Sequence, residues 1–104
     1  MKTSSSTKVT RSNGNVFSDL GFVKAEAEHL QVRSTLMIAI QEIIDERQLT
    51  QAEAAAAFGV TQPRISDLVR GKIELFSIDM LVTMLARAGM HVQIVLSPVE
   101  RGAA

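Results

Sequence analysis

The segment from Thr61 to Asp67 concentrates side chains that form directional hydrogen bonds. It carries the amide of Gln62, the guanidinium of Arg64 and the carboxylate of Asp67 close together in the chain. An amide offers a donor and an acceptor side by side, a guanidinium offers paired donors, and a carboxylate accepts. These groups suit the recognition of a polar ligand by its hydrogen-bonding edge, with no covalent step.

The rest of the sequence has no pattern for catalysis or for a bound metal. It contains no cysteine, which excludes disulfides, a thiol nucleophile and cysteine-ligated zinc. His29 has no second nitrogen ligand within one helical turn, and His91 stands alone near the carboxyl end. No spacing joins serine, histidine and acidic residues into a nucleophile and its base. We therefore predict a protein that is not an enzyme, needs no cofactor and carries both histidines on its surface.

Two short helices should hold the hydrogen-bonding segment. Thr50 can cap a helix over the alanine-rich stretch Gln51 to Phe58, which Gly59 can end in the left-handed conformation. Thr61 can cap a second helix, which has a proline in its first turn and ends before Gly71. The pattern predicts two helices joined by a tight glycine turn.

The spacing across this turn indicates how the two helices meet. Counted from Gln51 as the first residue, a small residue stands fifth at Ala55 and a glycine ninth at Gly59. Apolar residues stand fifteenth and eighteenth, at Ile65 and Leu68. A close crossing at a small residue and two inward apolar residues in the second helix are typical of a helix-turn-helix. The alternative is an αα-hairpin that binds nothing.

At these residues the sequence resembles the Xre family of bacterial and phage repressors. The resemblance lies in the pair TQ at 50–51, the same pair at 61–62, and RGK at 70–72. It implies a lambda-repressor-like domain that binds double-stranded DNA. In a helix-turn-helix the amino-terminal residues of the second helix meet base edges in the major groove.

The chemistry of the second helix predicts individual DNA contacts. Gln62 fits adenine, Arg64 fits guanine or a phosphate, and Asp67 fits the amino group of cytosine. Pro63 can contact a thymine methyl group. The resemblance adds phosphate contacts at the start of the first helix and after the second. The predicted DNA-binding residues are Gln51, Thr61, Gln62, Pro63, Arg64, Ser66, Asp67, Arg70 and Lys72.

The overall charge argues against strong attraction to DNA, because eleven basic residues balance eleven acidic ones. The distribution is uneven. Residues 1–11 contain no acid, whereas residues 23–47 hold much of the acidic charge. We therefore predict modest phosphate neutralisation per subunit and weak non-specific binding.

One domain accounts for the length of the chain. We predict a disordered tail over residues 1–15, a helix-turn-helix domain over 16–98 and a second tail over 99–104. The first tail is either a mobile basic arm or a plain solvated tail. A long helix is expected from Val23 to Arg47, and the weak helix formers from Val32 to Thr35 are compatible with a break there.

The carboxyl-terminal part indicates a dimer. A helix over Ile78 to Ala88 has apolar residues on two sides, so it is either an enclosed core helix or part of a subunit interface, which we favour. The segment His91 to Ser97 has a partial alternation of apolar residues, which is typical of a strand. A lone strand leaves its backbone N–H and C=O groups unpaired, so it needs a partner such as a second copy. The predicted fold class is therefore mainly all-α, with four to five helices and one C-terminal β-strand that pairs across a homodimer. The predicted interface residues are Met80, Met84, Val92, Ile94 and Leu96.

In overall layout, residues 17–97 resemble the HigA-type antitoxins of the Xre family. The resemblance rests on FSDLGF after a polar tail, one long helix, the TQ helix pair, LFSID and HVQIVL. It implies a dimer that neutralises a RelE/HigB-like ribonuclease toxin and represses its own operon. Such a dimer would place its two recognition helices one DNA turn, roughly 34 Å, apart on a palindromic operator. The predicted toxin-binding residues are Phe17, Leu20, Phe22, Glu26 and Leu30, where apolar and acidic residues can meet a basic ribonuclease.

Two alternatives have the same fold. One is an Xre-type transcriptional repressor without a toxin partner, and the other is a helix-turn-helix used only for protein contacts. The sequence has no apolar run of about 18–20 residues and no signal peptide, which predicts a cytoplasmic protein without membrane contact.

Overall fold

Four α-helices make up most of the chain that the structure describes. The computed structural model describes the backbone of residues 14–98 and the side chains of residues 24–98. The elements are α1 (Gly14–Glu46), α2 (Gln51–Phe58), α3 (Gln62–Val69), a 3-10 turn (Ile73–Leu75) and α4 (Ile78–Arg87). The prediction of a mainly helical fold is confirmed. Residues 1–13 of the tail predicted over 1–15, and the whole tail predicted over 99–104, lie outside the described residues.

The first helix is longer than the sequence predicted. It starts nine residues before Val23 and so includes residues 14 and 15 of the predicted tail. It also crosses Val32 to Thr35 without a break, because each weak helix former there costs at most about 0.7 kcal/mol. Within that stretch Arg33 Nη1 donates a hydrogen bond to the Ile73 carbonyl at 3.3 Å. This contact ties the middle of α1 to the rest of the domain.

The hydrophobic core is formed by side chains from the second half of α1 and from α2, α3, α4 and Phe76. Ile65 and Leu68 are fully buried in it, as predicted. The most buried small residue of α2 is Ala54, whereas the predicted Ala55 packs at the edge of the core. The core side chains are Met37, Ile40, Ile43, Ile44, Ala54, Phe58, Ile65, Leu68, Phe76, Leu81, Met84 and Leu85.

Side-chain caps fix the starts of the three shorter helices. Thr50 and Glu53 cap each other: the Glu53 amide donates to Thr50 Oγ1 at 3.1 Å, and the Thr50 amide donates to Glu53 Oε1 at 2.9 Å. Thr61 Oγ1 accepts from the Arg64 amide at 3.3 Å, and Ser77 caps α4 in the same way. Each cap satisfies an amide that has no partner inside its helix. The predicted starts of α2, α3 and α4 are therefore confirmed.

Gly59 ends α2 in the left-handed conformation, with φ of 71°. Its amide donates to the carbonyl of Ala55, which closes the turn. A Cβ atom at this position would clash with the side chain of Arg87, near the end of α4. Glycine therefore permits both the backbone angle and the close approach of the Arg87 side chain.

The predicted carboxyl-terminal strand does not form in the single chain. Residues 91–98 are neither helix nor strand, and within the described residues no segment pairs with them. A strand requires ladder hydrogen bonds from a neighbour, which one isolated segment lacks. Ile94, Val95 and Leu96 are 77%, 88% and 89% exposed. Pairing across a dimer stays a prediction.

The second apolar stripe of α4 is explained within one protomer. Met84 is 2% exposed and lies in the core, because α4 packs against both α1 and α2. In the single chain Met84 therefore has almost no free surface to offer to the predicted dimer interface. Met80 and Val92 are half-buried at the edge of the core, so each keeps some free surface.

Candidate nucleic-acid interface

Helix α3 turns one face to the core and leaves its amino end in solvent. Ile65 and Leu68 are fully buried, whereas Gln62 and Pro63 in the first turn are exposed. Thr61 caps this turn with its hydroxyl. A helix that enters a DNA groove must be held to its domain by buried apolar residues and must have an accessible amino end.

The two TQ pairs occupy equivalent positions in α2 and α3. Thr50 and Thr61 are the N-caps, and Gln51 and Gln62 are the first residues of their helices. Both glutamines are exposed. The free amides and the positive dipole end at a helix start favour a phosphate group nearby. Gln51 is therefore placed at a helix end that suits its predicted phosphate contact.

A connected group of charges lies along the rest of α3. Arg64 Nη1 is 4.0 Å from Asp67 Oδ2, and Lys72 Nζ is 3.9 Å from Asp67 Oδ1. Arg64 Nη1 also donates to the Leu75 carbonyl at 3.4 Å, and its guanidinium lies 5.6 Å from the centre of the Phe76 ring. The side chain of Arg64 therefore packs on the 3-10 turn and on Phe76 in the free protein.

Two long side chains of α1 hold the carboxyl end of α3 and the turn that follows it. Gln41 Nε2 donates to the Leu68 carbonyl at 2.9 Å, and Arg33 Nη1 donates to the Ile73 carbonyl at 3.3 Å. Each carbonyl also accepts a backbone hydrogen bond, Leu68 from the Gly71 amide at 3.0 Å and Ile73 from the Phe76 amide at 3.2 Å. The side-chain contacts therefore add a second bond to each carbonyl and tie α3 and the turn to α1. Neither contact is evident from the sequence, because the partners lie 27 and 40 positions away in the chain.

Comparisons with known proteins agree with this geometry. A family model described as a helix-turn-helix domain matches residues 16–97. The chain belongs to this helix-turn-helix family. It is also similar to a solved structure provisionally named as an XRE family transcriptional regulator, with 38% sequence identity and a TM-score of 0.67. That match covers 76% of this chain and 89% of the other, which makes this an XRE-type protein. Comparison with the curated proteins gives no match.

The helix-turn-helix protein keeps all of its predicted DNA-binding residues outside the core. Those at the two helix starts and Arg70 are exposed, and the others along α3 and after it are partly covered. The exposed residues are Gln51, Thr61, Gln62, Pro63 and Arg70, and the half-buried ones are Arg64, Ser66, Asp67 and Lys72. The structure thus brings eight of the nine together on α3 and its ends, with Gln51 on α2.

The predicted toxin-binding residues of the helix-turn-helix protein all fall on α1. The side chains of Phe17, Leu20 and Phe22 lie outside the described part of the structure. Glu26 is exposed, and Leu30 is 42% exposed. These two residues therefore lie on an open helix surface.

The described residues carry neither a metal-binding cluster nor a membrane-spanning helix. His29 and His91 are exposed, as predicted. Within the described residues, no three or more histidine or acidic side chains are grouped closely enough to hold a metal ion. None of the helices in that part of the chain is long and apolar enough to cross a membrane.

Proposed function

We propose that this XRE-type helix-turn-helix protein is a sequence-specific repressor that binds a palindromic operator as a dimer and controls its own transcription. The family and the similar solved structure support the broader function of a DNA-binding regulator. The observation that carries the proposal is the geometry of α3. Its buried side, formed by Ile65 and Leu68, fixes the helix, while its capped amino end presents Gln62 and Pro63 to solvent.

Replacing Gln62 and Lys72 separately should distinguish base reading from phosphate binding. The Gln62 amide can form paired hydrogen bonds with adenine, worth about 1–3 kcal/mol of discrimination. Gln62→Ala should therefore weaken operator binding by that amount and leave binding to a scrambled duplex unchanged. Lys72→Ala should weaken both complexes alike. It should also make the salt slope, the slope of log K for DNA binding against log salt concentration, less steep by about one. Fluorescence anisotropy with labelled duplexes measures both quantities.

Gln31→Ala is the matched control, because Gln31 is an exposed glutamine on α1. It should change neither complex. If Gln62→Ala weakens the operator and the scrambled duplex equally, then Gln62 does not read a base.

The dimer is supported by the apolar surface at the carboxyl end. Ile94, Val95 and Leu96 are adjacent in the chain and all strongly exposed. A run of exposed apolar residues with unpaired backbone favours association with another strand. A second copy offers the same segment, and antiparallel pairing about a two-fold axis satisfies both copies at once. Two copies of α3 can then contact the two halves of a palindrome.

An antitoxin role is the second proposal, and the projecting half of α1 favours it. A helix of 33 residues is about 50 Å long, and the described structure measures 53 × 24 × 23 Å. Apolar side chains of α1 pack against the core only from Leu36 onward, and residues 24–32 are all exposed. This exposed segment, residues 24–32, is called the arm here. It carries Leu30 and Val32 beside Glu26 and Glu28, a combination that suits a basic protein such as a RelE/HigB-like ribonuclease.

Removing residues 1–30 should abolish capture of a small basic ribonuclease encoded next to this chain. The truncated chain should still fold, because its core residues begin after the cut. Glu26→Lys combined with Glu28→Lys should weaken capture about tenfold or more by placing like charges against the partner. Glu42→Lys is the control, since Glu42 is exposed on α1 beyond the arm. Co-purification and calorimetry give the readout.

Undiminished capture by the truncated chain would exclude the arm as the toxin site. A chain that captures no neighbouring ribonuclease would instead support the XRE-type repressor without a toxin partner.

A further inference from the structure

Asp67 has both carboxylate oxygens directed at cations of its own chain. Oδ2 lies 4.0 Å from Arg64 Nη1, and Oδ1 lies 3.9 Å from Lys72 Nζ. The Asp67 side chain is 26% exposed, less than that of Arg64 at 36% or Lys72 at 43%. The carboxylate therefore sits between the two basic side chains.

Local structure dictates this arrangement. Arg64 and Asp67 are three residues apart on α3, so their side chains lie on the same face. Gly71 takes a left-handed φ of 75°, and the Lys72 amide then donates to the Asp67 carbonyl at 3.1 Å. This turn folds Lys72 back along the end of α3 and brings its ammonium group to the carboxylate.

The same three residues hold most of the charge that DNA would meet on this helix. From Thr61 to Lys72 the chain has three basic side chains and one acidic one. Two of those three cations are paired with Asp67, and only Arg70 is not. A phosphate that approaches Arg64 or Lys72 must compete with a carboxylate already within 4.0 Å. Because affinity for DNA depends on the number of phosphates neutralised, Asp67 reduces the attraction of α3 to any sequence.

We propose that Asp67 is an internal competitor of the DNA phosphates and limits the sequence-independent part of binding. Asp67 acts by pairing with Arg64 and Lys72, and it does not contact a base itself. This inference rests on the proposed DNA binding. The two ion pairs are long and partly exposed, so they are weak and can open when a phosphate arrives. Asp67 therefore lowers DNA affinity without preventing binding.

The test is Asp67→Asn in the full chain, measured on operator and scrambled duplexes across a series of salt concentrations. Asparagine keeps the size of the side chain and removes its charge. We expect both duplexes to bind more tightly by the same factor, about threefold to tenfold at low salt, and the salt slope to steepen by about one. A thermal melt of each protein checks that the fold is retained.

Glu42→Gln is the matched control. It removes one negative charge from an exposed site on α1, on the side of that helix near Met90 and His91. It should leave the salt slope unchanged, which separates a local effect at α3 from a change in net charge.

Three results would overturn the role of Asp67. Weaker binding to the operator alone would mean that Asp67 contacts a base. Weaker binding to both duplexes with a lower melting temperature would mean that Asp67 only stabilises the turn. Unchanged affinity and slope would mean that the ion pairs do not compete with phosphate. If the wild-type chain does not prefer its operator, the proposed function fails, but the scrambled duplex still decides the role of Asp67.

Discussion

Replacing Ile65 with alanine should destabilise the domain by about 2–5 kcal/mol, a large part of the stability of a small protein. Ile65 is fully buried and lies on the face of α3 that meets the core. Removing its side chain beyond Cβ leaves a cavity, because the surrounding helices can relax only partly. Urea unfolding followed by circular dichroism measures the loss. DNA binding should fall as well, since α3 would lose one of its two main anchors.

Val69→Ala is the control for this substitution. Val69 lies on the same helix and has the same β-branched character, but it is 47% exposed. Its truncation should change stability by no more than about 0.5 kcal/mol. Both variants must be compared at one protein concentration, because the stability of a dimer depends on it. Equal effects of the two substitutions would contradict the assignment of the buried face of α3.

Replacing Ile94 and Leu96 together with lysine should convert the proposed dimer to a monomer. In a strand these two residues share one side, and both are strongly exposed in the single chain. Lysines on that side would place like charges opposite each other across the two-fold axis. Operator affinity should fall about a hundredfold or more, because each α3 would then bind its half-site alone. Sedimentation equilibrium and anisotropy measure the two effects.

Val95→Lys provides the matched control, since Val95 is 88% exposed but lies between the two residues in the chain. In a paired strand its side chain would project to the opposite side. The Val95 variant should remain dimeric. A wild-type chain that sediments as a monomer at micromolar concentration would contradict pairing through this segment.

The helix-turn-helix could be predicted because its determinants are local. Thr50 and Thr61 accept hydrogen bonds from amides three residues later, and Gly59 relieves a constraint on its own backbone angle. Ile65 and Leu68 are three residues apart, so helical spacing alone places them on one face. Each signal acts over a few residues, which a sequence displays directly.

Features that depend on distant contacts could not be predicted in the same way. Gln41 and Arg33 look like ordinary polar residues of α1 until the fold brings carbonyls of α3 and the 3-10 turn beside them. The two apolar sides of α4 predict an interface that includes Met84, yet α1 and α2 both pack against α4 and bury Met84 within one chain. Burial on two sides is therefore a property of the tertiary arrangement rather than of oligomeric state.

The residues predicted to bind DNA lie outside the core, but several of them form ion pairs that the sequence-based prediction does not include. The sequence predicts separate contacts for Arg64, with guanine or a phosphate, and for Asp67, with cytosine. Their spacing of three residues on a helix already allowed an ion pair. The second pair, from Asp67 to Lys72, depends on the left-handed turn at Gly71, and the contact of Arg64 with Phe76 depends on the 3-10 turn.

The most direct measurement is a titration of the purified chain onto DNA from immediately upstream of its own coding sequence. A scrambled duplex of equal length and a series of salt concentrations provide the comparison. We expect preferential binding that saturates at one dimer per palindrome, with much weaker and more salt-dependent binding to the scrambled DNA. Equal, weak and steeply salt-dependent binding to both duplexes would contradict the proposed autorepressor.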